Sequence, residues 1–165
     1  VEEAFHQLKR AREPKSSTSF LAACFLREQL LFAVHAGDCR VGVHESKDGV
    51  AWKTSVHSLA TAITSLSEEA LRLHPARNQL TRTFTTTRFK VPELTRLDCA
   101  YPKGATMGTD GFWAELPQEV QGAADDPTWE PTTSCEDDAS RLLIRWKAAT
   151  PLRTTEAANL YVKTK

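Results

Sequence analysis

The stretch from Ser67 to Arg82 reads S-E-E-A-L-R-L-H-P-A-R-N-Q-L-T-R and contains the signals that begin and end a helix. Ser67 suits the N-cap position, because its hydroxyl can accept a hydrogen bond from a free backbone N–H of the first turn. Glu68 and Glu69 follow in the first turn, where the helix dipole favours negative charge. Pro75 disfavours helical backbone at the residue before it, so we predict that the helix ends there.

Apolar segments with strand character lie on both sides of this helix. Within residues 30–45, Ala36-Gly37-Asp38 is interpreted as the turn of a hairpin between two strands. Asp38 and Arg40 are interpreted as structural residues of this turn that form a local ion pair. The apolar runs together predict strands at 19–27, 30–45, 50–55, 80–86, 92–99, 104–109 and 139–147.

Helical spacing predicts further helices at about 2–12 and from about Gly111. It also predicts a helix from about residue 58, in which Leu59, Ile63 and Leu66 share one apolar face. Strands and helices mixed in this order indicate an α+β fold.

The composition is that of a soluble globular domain with no unusual charge. The 165 residues are enough to bury one core, and 41% of them are hydrophobic. The 21 basic residues balance the 21 acidic ones, and no apolar run approaches the roughly 20 residues of a membrane span. We therefore expect neither a nucleic-acid partner nor a membrane partner.

The four cysteines give no sign of a metal or redox pair. They are Cys24, Cys39, Cys99 and Cys135, and no two are close enough to form a C-x-x-C motif. We interpret them as reduced thiols, which indicates a cytoplasmic protein.

Carboxylates stand at the ends of two apolar runs far apart in the chain. Asp110 follows G-A-T-M-G-T, while Asp137 and Asp138 precede R-L-L-I-R-W. Carboxylates that converge from strand ends suit Mg²⁺ or Mn²⁺, because these hard cations take oxygen ligands. Two such positions are nevertheless too few to complete a site.

The order of the motifs resembles that of the type 2C metal-dependent protein phosphatases, most closely the bacterial members. The most specific match is Glu68 to Arg82, which resembles the bacterial E-E-A…H-P-x-R-N-x-L-T-R. The others, in chain order, are Ser17-Thr18, similar to Gly-Ser-Thr; Gly37-Asp38-Cys39-Arg40, similar to Gly-Asp-Ser-Arg; Thr109-Asp110-Gly111-Phe112-Trp113, similar to Ser-Asp-Gly-Leu-Trp; and Asp137-Asp138-Ala139-Ser140, similar to Asp-Asn-x-Thr.

This resemblance implies an α-β-β-α sandwich, in which two antiparallel sheets are flanked by helices. It also implies a dinuclear Mn²⁺ or Mg²⁺ centre at one end of the sandwich. In the family, a metal-bridging water attacks the phosphorus of phosphoserine or phosphothreonine. The implied function is therefore a metal-dependent serine/threonine protein phosphatase whose substrate is a phosphorylated protein, such as a kinase or a kinase target.

By motif position, Asp110 would ligate one metal and Asp137 the other. The resemblance makes His57 and Arg77 candidate substrate contacts. Each position also has a structural alternative: Asp110 as a helix cap, Asp137 as a solvated acidic residue, and Arg77 as an anchor for the corner between helix and strand.

The early family motif Asp-Gly-His-Gly, whose Asp bridges both metals, does not occur in this sequence. The chain begins at Val1 within a helical pattern, so we expect the C-terminal two thirds of the family domain at 1–147, followed by a polar tail at 148–165. A companion N-terminal segment would then supply the remaining ligands. The alternative is a non-catalytic pseudophosphatase that binds a phosphoprotein or regulates a kinase partner, and Val56, where many members carry Asp, favours it.

Overall fold

The computed structural model describes residues 2–3, 6–7, 17–27, 29–46, 49–85, 87–100, 104–123 and 137–145. Of the first predicted helix, residues 2–3 and 6–7 are helical, and the others lie outside the described part. Cys135 and the tail at 148–165 also lie outside it. The boundary between a domain at 1–147 and a tail therefore stays a prediction.

The strands follow the predicted segments closely, although several are shorter. In chain order they are β1 (Ser17–Thr18), β2 (Phe20–Leu26), β3 (Gln29–Ala36), β4 (Arg40–Ser46), β5 (Gly49–Trp52), β6 (Phe84–Thr85), β7 (Glu93–Ala100), β8 (Ala105–Gly108) and β9 (Arg141–Ile144). One antiparallel sheet has the order β2-β3-β7, and a second has the order β5-β4-β8-β9. The short strands β1 and β6 pair separately.

The hairpin predicted across Ala36-Gly37-Asp38 is wrong, because β3 and β4 belong to different sheets. Strand β3 bonds to β2 on one edge and to β7 on the other, so neither edge is left for β4. The chain instead crosses between the two layers, and Gly37 allows this with a φ of 109°. The hairpin lies one connection earlier, where β2 turns into β3 at Arg27.

The two sheets pack face to face around an apolar core. Leu30 and Ala33 of β3 contact Val41 and Val43 of β4 and Ala105 of β8, and all five are fully buried. Burying apolar surface between two sheets stabilises a sandwich, at about 25 cal/mol per Å² removed from water. The two-sheet antiparallel arrangement implied by the resemblance is thus confirmed.

Short helices pack beside the four-stranded sheet. They are α1 (Leu59–Ile63), α2 (Glu68–Leu73), a π-helix (Gly111–Glu115) and α3 (Gln118–Ala123). The predicted cap of α2 is confirmed, because the Ser67 side chain accepts a hydrogen bond from the backbone N–H of Ala70. None of the helices that the structure describes has the length and apolar character needed to cross a membrane.

The apolar face predicted for the helix from residue 58 is wrong. Leu59 is 37% exposed and Ile63 is 71% exposed, while Ala60 is buried. The helix ends at Ile63 because Thr64 adopts an extended backbone, with a φ of −151°. Residues beyond Thr64 therefore do not continue the spacing on which the prediction relied.

Candidate metal centre

Asp110 lies where β8 ends, beside the start of β9. The two strands are antiparallel neighbours, with Gly108 paired to Arg141. The contact continues past that pair, because Thr109 N–H donates to the Ser140 carbonyl at 3.0 Å and Ser140 N–H donates to Thr109 Oγ1 at 2.9 Å. This pairing brings the residue after Thr109 next to the segment that leads into Ser140.

Gly111 allows the backbone before β9 to approach the start of the π-helix. A Cβ atom at this position would lie 2.8 Å from the Asp138 carbonyl oxygen and 2.9 Å from that of Asp137. Only glycine fits such an approach without a shift of the backbone. Thr109 Oγ1 also donates to the Asp138 carbonyl at 2.9 Å. The structure therefore brings the predicted ligands Asp110 and Asp137 together.

Asp38 supplies a third carboxylate to the same end of the four-stranded sheet. It precedes β4, whose first residue Arg40 pairs with Gly108. The Ser19 hydroxyl donates to the Asp38 carboxylate and also accepts from the Asp38 backbone N–H at 3.3 Å. Trp113 Nε1 donates to the Asp38 carbonyl at 2.8 Å. Hydrogen bonds from two other segments thus fix both the backbone and the side chain of Asp38.

Asp38 and Asp137 act electrostatically on Asp110. Burial, followed by the negative charges of Asp38 and Asp137, raises the pKa of Asp110 above its usual range. Burial, with the charges of Asp38 and Asp110, raises the pKa of the Cys39 thiol to about 11. Repelling carboxylates of this kind offer the oxygen ligands that a divalent cation prefers.

Arg77 lies at the border of this carboxylate cluster. Its positive charge lowers the pKa of Asp110, against the larger effects of burial and the neighbouring carboxylates. Nη2 lies 3.8 Å from Glu115 Oε1, while the other oxygen of Glu115 accepts from the Asp137 backbone N–H at 3.4 Å. The Nη1 atom is buried and has no hydrogen-bond partner among the described residues. Arg77 therefore places a positive charge beside the cluster.

His57 lies behind the Asp38 turn and not in the carboxylate cluster. Its side chain is 9% exposed. Nδ1 accepts from the Gly37 backbone N–H at 3.1 Å, and Nε2 lies 2.9 Å from Glu93 Oε2. With both ring nitrogens engaged inside the protein, the geometry favours an internal role for His57 over the predicted substrate contact.

No family model matches the sequence, and the comparison with curated proteins finds no match. Solved structures do match. The serine/threonine phosphatase Stp1 from Staphylococcus aureus aligns with a TM-score of 0.60 at 19% identity, over 77% of this chain and 51% of that one. The phosphatase PstP/Ppp from Mycobacterium tuberculosis aligns with a TM-score of 0.52 at 18% identity, over 74% of this chain and 57% of that one.

A third match is the PPM Ser-Thr phosphatase MsPP from Mycobacterium smegmatis, solved in complex with cacodylate. It aligns with a TM-score of 0.57 at 19% identity and covers 76% of this chain and 62% of that one. The chain has the fold of the bacterial serine/threonine phosphatases. The resemblance inferred from the motifs is thus confirmed at the level of fold, and the chain spans about half to two thirds of the length of these phosphatases.

The sequence analysis did not place Asp38 in the carboxylate cluster, and it assigned Arg40 the wrong partner. Asp38 lies in the connection between β3 and β4, and its negative charge acts on Asp110. Arg40 pairs with Glu68 of α2, through two hydrogen bonds of 2.5 and 2.9 Å, and not with Asp38. The Gly37-Asp38-Cys39-Arg40 motif was the available signal, because it matches a family motif and not only a turn.

Proposed function

We propose that this chain is part of a metal-dependent serine/threonine protein phosphatase, and that Asp38, Asp110 and Asp137 ligate its Mn²⁺ or Mg²⁺. The observation that carries the proposal is the convergence of three carboxylates from distant parts of the chain at the start of β4, the end of β8 and the start of β9. The fold shared with bacterial phosphatases supports it.

The donor set of the cluster fits these ions. Carboxylate oxygens are the ligands that Mg²⁺ and Mn²⁺ prefer, whereas zinc favours sites with imidazole or thiolate. When bound, such an ion would lower the pKa of a coordinated water and neutralise charge on the phosphate oxygens. The chain's own contribution is to hold the carboxylates in place, which Ser19, Trp113 and Thr109 do by hydrogen bonding.

Arg77 would bind the phosphate of the substrate. Its side chain is 18% exposed, so part of it is accessible to a substrate, and its positive charge acts on Asp110 of the carboxylate cluster. A guanidinium presents several N–H donors in a plane and suits phosphate oxygens. His57, by contrast, is not included among the proposed substrate contacts because both of its ring nitrogens are engaged.

The proposed substrate is a phosphoserine or phosphothreonine protein, such as a kinase or a kinase target. The family's Asp that bridges both metals lies in a motif that does not occur in this sequence, so these three carboxylates alone do not make up the implied dinuclear site. We therefore include in the proposal a companion segment that supplies further ligands, consistent with the share of the matched phosphatases that the chain spans. Cys24, Cys39 and Cys99 are free thiols, in keeping with a cytoplasmic location.

Hydrolysis of a phosphothreonine peptide tests the proposal. The complete protein, including the companion segment, is assayed with Mn²⁺ and again with excess chelator, alongside Mn²⁺ binding measured without substrate. We expect turnover that requires Mn²⁺ and that falls strongly in Arg77→Met, mainly through a higher KM. Mn²⁺ binding without any turnover would contradict the enzymatic proposal in favour of a non-catalytic binding protein.

A further inference from the structure

A second group of titratable side chains lies behind the Asp38 turn. His35 of β3, His57 and Glu93 of β7 bring their nitrogen and oxygen atoms within 4.8 Å of one another. The two imidazole rings stack with centroids 4.6 Å apart and an interplanar angle of 14°. Both histidines are buried, and Glu93 is partly exposed. Two imidazoles and a carboxylate would suit a transition metal. The hydrogen bonds of the group decide whether it is a metal site or an internal network.

The hydrogen bonds of His57 argue against a metal at this group. Gly37 N–H donates to Nδ1 of His57, so Nδ1 carries the lone pair and the proton of the neutral ring is on Nε2. That N–H points at Glu93 Oε2, 2.9 Å away. A cation on Nε2 would have to displace the proton and leave an imidazolate. Metal-bound histidines instead donate the other ring N–H to an acceptor.

His57 forms hydrogen bonds with both backbone groups of Gly37, the carbonyl and the N–H. The His57 backbone N–H donates to the Gly37 carbonyl at 2.9 Å, while Nδ1 accepts from the Gly37 N–H at 3.1 Å. Glycine has more accessible backbone conformations than any other residue, so these two hydrogen bonds restrict Gly37 to its φ of 109°. Asp38 follows directly, so the direction in which its carboxylate points depends on how Gly37 is held.

Glu93 in turn fixes the ring of His57. The hydrogen bond from His57, ahead of every other influence, keeps the pKa of Glu93 below its usual range, so the carboxylate remains an acceptor. Arg82 Nη1 lies 3.6 Å from the same oxygen and contributes positive charge. A chain of contacts therefore runs from Arg82 through Glu93 and His57 to Gly37.

We propose that His57 is a positioning residue: oriented by Glu93, it locks Gly37 and thereby aims the Asp38 carboxylate at the metal centre. This inference rests on the proposed function, because it assigns Asp38 a ligand role. It predicts that metal affinity depends on the Nδ1 acceptor of His57, although His57 itself touches neither metal nor substrate.

Two substitutions test the contributions of the two ring nitrogens of His57 separately. In His57→Asn, the amide oxygen stands near the position of Nδ1 and keeps an acceptor for Gly37. In His57→Gln, the amide nitrogen reaches the position of Nε2 and keeps the donor to Glu93, but the acceptor for Gly37 is lost. His44→Gln is the matched control, because His44 is a buried histidine of β4 that hydrogen-bonds Thr106 in β8.

The readout is Mn²⁺ affinity, measured by the electron paramagnetic resonance of free Mn²⁺ and without substrate. We expect His57→Gln to lower the affinity by about 10–100-fold, the usual effect of losing a residue that orients a ligand. His57→Asn and His44→Gln should stay close to wild type. An equal loss in His57→Asn and His57→Gln, or no loss in either, would overturn the proposal.

Nitrogen NMR of the imidazole rings gives a second test that does not depend on metal. The wild-type spectrum should show His57 protonated on Nε2 and unprotonated on Nδ1, and the opposite tautomer would overturn the proposal. If wild type binds no Mn²⁺, the proposed function fails while the tautomer still tests the contact with Gly37. If His57→Gln does not fold, Glu93→Ala removes the acceptor of His57 Nε2, so it should change the His57 nitrogen signals and weaken Mn²⁺ binding, and unchanged signals would count against the proposal.

Discussion

At residue 111 there is room for a hydrogen atom and no more, because the carbonyls of Asp137 and Asp138 lie against it. Gly111→Ala should lower the free energy of unfolding by about 1–3 kcal/mol, the usual cost of overpacking. It should also weaken Mn²⁺ binding, because the segment that carries Asp137 must move away from Asp110. Chemical denaturation and a Mn²⁺ titration measure the two effects.

Gly49→Ala is the control for this substitution. A Cβ there would lie 2.7 Å from Cγ of Gln118, in α3 and away from the carboxylates. It should also destabilise the chain but leave Mn²⁺ affinity unchanged. Normal Mn²⁺ binding by Gly111→Ala would mean that Asp137 does not need to approach Asp110.

His35 makes stability depend on pH. Burial, followed by the charge of His57, lowers its pKa from 6.5 to about 4. Between these values the unfolded state holds a proton that the folded state does not, so stability is full above pH 6.5 and falls as the pH drops towards 4. The loss attributable to His35 should reach up to about 3 kcal/mol. Denaturation midpoints at several pH values should fall less steeply in His35→Gln, and parallel curves would refute the assignment.

Among individual residues, Asp110 and Asp137 could be identified from the sequence, because each lies beside a strand with clear apolar character. Their convergence was expected from the motif resemblance, and the pairing of β8 with β9 explains it. Asp38 was missed as a member of the cluster. Its position follows from the crossing of the chain between sheets, and a local turn signal carries no information on that crossing.

At the level of elements, Arg40 joins β4 to α2. Its guanidinium lies between Trp52 and Trp113, 5.4 and 5.1 Å from the two ring centres, and donates from Nε to the Thr54 carbonyl at 2.9 Å. The side chain is 4% exposed and forms two hydrogen bonds with Glu68. A planar cation with several donors fits this space, whereas an ammonium does not.

Arg40→Lys should therefore lower the free energy of unfolding by about 2 kcal/mol, because a lysine cannot make all of these hydrogen bonds. Lys53→Gln is the control, since Lys53 pairs with Glu45 near the surface and should contribute less than about 1 kcal/mol. Urea denaturation compares the two. A smaller effect in Arg40→Lys than in Lys53→Gln would show that the pair of Arg40 and Glu68 does not join these elements.

Strand and helix positions were predictable because capping residues, prolines and apolar periodicity are local signals. Ser67 begins α2 as predicted. The pairing of strands was harder to predict, because a connection such as Gly37-Asp38 can close a hairpin or lead the chain to another sheet. The face of a short helix was also unpredictable, since α1 ends before its apolar spacing is complete.

For the whole molecule, the motif order was sufficient to predict the two-sheet sandwich.

The chain spans about half the length of Stp1, and large apolar side chains on its strands are exposed, including Leu26 at 58%, Leu94 at 67% and Leu142 at 50%. These exposed apolar side chains add little to the stability of the core unless another segment covers them.

We expect the isolated chain to melt over a broad range, with an unfolding enthalpy well below the roughly 0.7 kcal/mol per residue of complete domains. Scanning calorimetry measures this enthalpy and compares it with the van't Hoff value. A sharp transition with the full enthalpy would contradict the inference that a companion segment completes the fold.

A Mn²⁺ titration of the wild-type chain and of Asp110→Asn, with the melting temperature of each measured in chelator, tests the proposed metal centre most directly. We predict that wild type binds Mn²⁺ and that Asp110→Asn loses most of this affinity. We also predict that the variant is at least as stable without metal, because the substitution removes repulsion from Asp38 and Asp137. Equal Mn²⁺ affinity in the two proteins would contradict a metal centre at these carboxylates.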